Sequence, residues 1–93
     1  MSLTFVLYPK GTNFNMDYYI STHMKMVGDK LSQYGLKGWK VSDFGKDAEY
    51  CVGATLEWES MEAFQKGASS DDMKTILDDV KNFSDKEPML MPG

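Results

Sequence analysis

Arginine is missing from the 93 residues, and all ten basic side chains are lysine. Fourteen acids outweigh them and leave a net charge of −4. Arginine is the usual bidentate reader of guanine and phosphate. An acidic chain without it is poorly equipped for nucleic acid, and equally for an anionic membrane surface. Cysteine occurs once, at Cys51, which excludes an internal disulfide and suits a reducing cytoplasm, the expected location. Histidine also occurs once, at His23. A Cys/His zinc site needs three or four such ligands, so no metal is expected. The glycine motifs that cradle dinucleotides and phosphates are absent, as is Gly-x-Ser-x-Gly, so no cofactor is expected. No apolar run approaches the ~20 residues of a membrane span, and no signal-like stretch stands at the start.

What is present describes one small globular unit, residues 1–93. Hydrophobic residues make up 42% and aromatics 13%, which argues against disorder. A chain of this mass buries roughly 64% of its extended surface on folding, enough for one modest core. A deep enclosed site is hard to build from so little, so a second copy is expected to help.

Leu3–Tyr8 reads as a strand buried on both faces, and Pro9–Asn13 breaks it. Asn15 is placed to cap a helix, with Asp17 in its first turn. From Met16 the spacing turns helical, and Met16, Ile20, His23, Met24, Val27, Leu31 and Tyr34 share the predicted core face. Gly35 is a helix stop. Lys37–Phe44 is a weaker strand, and Gly45-Lys46-Asp47 a turn. Glu49–Trp58 alternates cleanly, with Tyr50, Val52, Ala54, Leu56 and Trp58 on the face that suits helices. Ser60 is placed to cap a helix to Ala68, Ser69-Ser70 interrupts, and Asp71–Val80 forms another. Pro88–Pro92 can form a short edge strand.

The order β-α-β-β-α-β predicts an α+β, ferredoxin-like fold: a four-stranded antiparallel sheet with helices on one face. The other face needs a cover. The two-sided apolar first strand and the surplus aromatics predict a homodimer packed sheet to sheet.

Four blocks of sequence resemble the EthD-like proteins, a group named for ethyl tert-butyl ether degradation. They are Tyr8-Pro9 with Phe14 to Met24 and its Tyr18-Tyr19 and His23; Tyr34-Gly35-Leu36; Glu59 to Phe64; and Asp78 to Asp85 followed by Pro88. The resemblance covers nearly the whole chain, with Asn15 standing where an Asp is common. It implies a ferredoxin-like subunit that pairs into a dimeric α+β barrel. It further implies a relationship to cofactor-free monooxygenases, polyketide cyclases, isomerases and decarboxylases, and so does not select one reaction.

His23 is the foremost candidate, as general acid or base at the mouth of a cavity between helix and sheet. The other reading is a structural histidine bonded to a backbone carbonyl or a carboxylate. Tyr19 lies one turn before it and can orient the imidazole or bind a substrate oxygen; the alternative is plain aromatic packing. Tyr18 points away from the predicted core face. Met16, Tyr50, Trp58 and Phe83 are the expected lining of a substrate pocket, with core filling as the alternative. Asp79 is expected to brace the Asn82-Phe83 loop. Cys51 reads as a buried inert thiol. The expected function is binding of a small aromatic or apolar molecule, with cofactor-independent oxygenation by way of His23. Proton-transfer chemistry (cyclisation, isomerisation, decarboxylation) and a non-catalytic carrier or accessory dimer are the alternatives.

Overall fold

Three short polar side chains decide where the helices start. The Asn15 carboxamide accepts the Tyr18 N–H at 3.1 Å. Ser60 Oγ accepts the Ala63 N–H at 3.1 Å, and Ser70 Oγ the Met73 N–H at 3.2 Å. Each such cap is worth about 1 kcal/mol. The computed structural model describes residues 2–92. It shows β1 (Ser2–Pro9) followed by a helical run in four pieces. These are α1 (Met16–Tyr18), a π-helical turn (Tyr19–His23), α2 (Met24–Leu31) and a 3-10 turn (Ser32–Tyr34). Next come β2 (Leu36–Asp43), β3 (Tyr50–Trp58), α3 (Met61–Ala68) and α4 (Asp71–Asp78). A second 3-10 turn (Asp79–Asn82) and β4 (Met89–Pro92) complete the order.

The strands form one antiparallel sheet in the order β2-β3-β1-β4, with the helices on one face. This is the ferredoxin-like α+β arrangement expected from the sequence. Register assigns the faces. Thr4, Val6 and Tyr8 stand beside Leu56, Ala54 and Val52 under the helices. Leu3, Phe5 and Leu7 stand beside Glu57, Thr55 and Gly53 on the open face. Met89 and Met91 join them from β4. Phe44 lies over Gly53, where an added Cβ would meet its ring at 2.7 Å. In the single chain, Leu3, Phe44, Met89 and Met91 are exposed. β1 is therefore fully covered on its helix face, and among the described residues only partly covered on the other.

One expectation for the first helix changes. Helical spacing places Ile20 in the core, but it is 44% exposed, whereas Tyr19 is only 1% exposed. The cause is the π turn, in which the Met24 N–H reaches back to the Tyr19 carbonyl, five residues away. The wider turn absorbs one extra residue, so the inward position upstream moves from Ile20 to Tyr19. Downstream the predicted face holds, with Met24, Val27 and Leu31 buried.

The helix-to-strand corner closes on Gly35, in the left-handed region at φ 105°. An added Cβ there would also meet Ala63 Cβ at 2.7 Å. Gly11 shares the left-handed conformation at φ 85° but faces open space. Gly11→Ala is expected to lose about 1 kcal/mol, and Gly35→Ala about 3 kcal/mol, by urea unfolding. Equal losses would show that Ala63 gives way freely.

Candidate functional site

The π turn sets both Tyr19 and His23 inward, with the two rings nearly parallel at 14° and 5.4 Å between centroids. His23 is buried, and the Phe83 ring packs against it at 4.5 Å. Its Nδ1 lies 2.9 Å from Asp79 Oδ2, a partner 56 residues along the chain. Asp79 is the meeting point of three side chains. Besides the imidazole, it accepts the Tyr18 hydroxyl at 2.7 Å and the Asn82 amide at 2.8 Å, both on Oδ1.

These contacts settle the protonation pattern. Burial alone would raise the Asp79 carboxyl, but hydrogen bonds from Asn82, His23 and Tyr18 outweigh it and hold it below its ordinary value. Asp79 is then a carboxylate at neutral pH and can only accept. The Nδ1 atom must therefore carry the proton of the neutral ring. Burial pushes the imidazole below its ordinary 6.5, and the pull of Asp79 does not cancel it. Near neutral pH, His23 is an uncharged ring with a basic lone pair on Nε2. The hydrogen bond found for the ring among the described residues is the one at Nδ1. The Tyr18 phenol is raised, first by its bond to Asp79. Tyr8 and Tyr19 are raised by burial and stay protonated.

His23 lines a small, partly open cavity of about 50 Å³ between α2, α4 and the sheet. Tyr8 and Tyr19 add the only other side-chain polar atoms, and the remaining walls are aliphatic or methionine.

The expected site residues separate. His23 and Tyr19 come together, although Asp79 rather than Tyr19 holds the imidazole by hydrogen bond. None of the four expected pocket residues lines this cavity. Phe83 backs the His23 ring. Met16 lies in an open groove with Asn13, Phe14 and Asp85. Tyr50 sits at the start of β3, its hydroxyl 3.8 Å from Met89 Sδ. Trp58 is fully buried beneath α3, where an added Cβ on Gly67 would meet its ring at 2.8 Å, and its Nε1 lacks a partner among the described residues. Tyr18, expected to face away, is half-buried and bonded to Asp79 because the π turn rotates the upstream segment. Asp79 does brace Asn82 as expected, and it also binds His23, which local spacing could not reveal.

The fold is that of a small ferredoxin-like α+β protein, and its structural neighbours are of the dimeric α+β barrel type. Structural likeness narrows that class. An EthD-like protein from Ralstonia eutropha JMP134 superposes with a TM-score of 0.85 and 25% identity, over 99% of this chain and 88% of that one. An ethyl tert-butyl ether degradation family protein from Bacillus halodurans C-125 gives 0.73 and 21%, over 100% and 97%. An antibiotic biosynthesis monooxygenase gives 0.61 at 7% identity, over 99% and 94%, a likeness of fold alone. No protein-family model and no curated protein matches the chain. The resemblance to EthD-like proteins read from the sequence thus holds in the structure. Among the described residues no helix is long and apolar enough to cross a membrane.

Burying a neutral histidine makes stability depend on pH. Its folded pKa lies below the unfolded 6.5, so the unfolded chain takes up more protons as pH falls. The contribution is complete above about 6.5 and is lost as pH drops toward the folded value. Urea midpoints are expected to fall between pH 7 and pH 5, and His23→Gln to flatten that slope. An unchanged slope in the variant would assign the loss to other groups.

Proposed function

We propose that the protein is a small-molecule catalyst in which His23 Nε2 acts as the general base on an aromatic or apolar substrate. One observation carries this: His23 lines a largely apolar cavity while a carboxylate holds its Nδ1, leaving Nε2 as the basic atom. In the reacting step Nε2 takes a proton from the substrate, and the bonding electron pair stays on the substrate. The resulting imidazolium sits against Asp79, which offsets the charge it gains. Asp79 is a positioning residue, held by Tyr18 and Asn82.

Removal of a proton opens cyclisation and isomerisation alike. It also opens cofactor-independent oxygenation, in which the carbanion passes an electron to dioxygen. The monooxygenase among its structural neighbours supports keeping that outcome. A chromogenic benzisoxazole tests the base directly, since loss of its ring C–H proton breaks the N–O bond and releases a cyanophenolate. The rate is expected to rise with pH through a value below 6.5 and then stay level. His23→Ala is expected to cost about a hundredfold or more. A variant that folds and reacts as fast as the parent would leave the non-catalytic carrier reading.

We also propose a homodimer that covers the open sheet face. Leu3, Phe5, Leu7, Phe44, Met89 and Met91 bring apolar side chains to that face. Such a patch is a usual mark of an interface, and the fold neighbours are of the dimeric type. Native mass spectrometry is expected to show a dimer and Leu7→Lys a monomer. A monomeric parent would overturn the assembly.

A further inference from the structure

The His23 cavity offers an incoming molecule one unusual combination. Its free acceptor is Nε2, and no lysine, aspartate or glutamate lines the wall. The charged and titratable groups facing the imidazole come from three elements. Asp79 lies behind it on the second 3-10 turn, Tyr19 lies beside it in the π turn, and Tyr8 comes from β1. α4, β3 and β4 contribute only apolar side chains.

This composition discriminates by chemistry. A purely apolar ligand would strip water from Nε2 and give nothing back, which has a desolvation cost. A hydroxyl or enol would donate to that lone pair and satisfy it. A carboxylate would meet a second acceptor with no cation to neutralise it, and Asp79 stands directly behind the ring. Near neutral pH only about one carboxyl group in a thousand is in the acid form that could donate.

Size sets a second condition. About 50 Å³ holds a few waters, well short of the ~300 Å³ at the lower end of ordinary ligand pockets. The wall, however, includes side chains that are themselves partly exposed. Leu77 on α4 and Leu90 on β4 both line the cavity, yet they are 46% and 49% exposed. A ring-sized guest can enter by turning these two side chains outward, without unpacking the sheet.

We infer that the cavity takes an uncharged molecule bearing one hydroxyl or enol donor on an apolar body, admitted between Leu77 and Leu90, and that it rejects carboxylates. The inference rests on the reading of His23 as a neutral base and supplies the class of molecule that base meets. The donated hydrogen is also the proton most readily transferred, so recognition and the reacting step share one atom.

Three size-matched probes test this at pH 7.5: phenol, toluene and benzoate. The readouts are affinity and the His23 ring signals in NMR. Phenol is expected to shift those signals saturably and to bind up to about tenfold more tightly than toluene, the worth of one hydrogen bond. Benzoate is expected to bind at least about a hundredfold more weakly than phenol. His23→Phe is expected to abolish the preference of phenol over toluene, and Leu77→Ala to strengthen ring binding. Benzoate matching phenol, or toluene matching it, with His23 signals still moving, would overturn the ligand class and leave the site in place. Three probes that leave His23 unmoved would overturn the cavity as a site altogether.

Discussion

The turn Tyr19–His23 carries one residue more than an α-helical turn would, and the position of every functional group follows from it. In an unbroken α-helix, the spacing that buries Val27 and Leu31 would also bury Ile20. The wider turn lets Tyr19 take that place and swings Tyr18 toward the second 3-10 turn. Tyr18 then reaches Asp79 at 2.7 Å from one side while His23 reaches it at 2.9 Å from the other. Turns of this kind disturb the helix ladder and are frequent at functional sites. Here the disturbance is supported by aromatic packing, with Phe14, Phe83 and Tyr8 around the Tyr19 ring.

Asp79 shows how a half-buried charge is kept. Two side-chain donors occupy one oxygen and the imidazole occupies the other, so the carboxylate remains ionised despite partial desolvation. The ionised acid fixes the tautomer of the neutral ring, and the tautomer leaves Nε2 basic. The polarity of the cavity thus originates in a residue that does not line it.

Most of the fold could be read from local chemistry. Asn15, Ser60 and Ser70 cap the helices their positions suggest, and Gly35 ends the first one. The alternation in Glu49–Trp58 gives the correct helix-facing set from Val52 to Trp58. The site was only partly legible. His23 stands out as the lone histidine, and Tyr19 follows from its i, i+4 spacing. Asp79 could be placed near Asn82 but not near His23, because only the tertiary fold joins positions so far apart. Ile20 escapes the helical pattern because a fixed helical period has no room for an extra residue. A serine hydroxyl bonded back to the helix carbonyl, Ser21 to Asp17 at 2.6 Å, is the faint local companion of that irregularity. Met16, Tyr50, Trp58 and Phe83 suit a pocket by residue type, and type alone does not say which end of a sheet a side chain serves.

The placement of the two indoles has an optical consequence. Trp58 is sealed under α3, and Trp39 lies against Gly28 of α2. Neither lines the His23 cavity. Ultraviolet emission from this protein therefore reports the β2–β3 half of the sheet and its helices. Opening between Leu77 and Leu90 would leave that emission nearly dark to the event. The near-ultraviolet dichroism of Tyr8 and Tyr19, whose rings cross at 83°, is the natural signal for that end of the molecule.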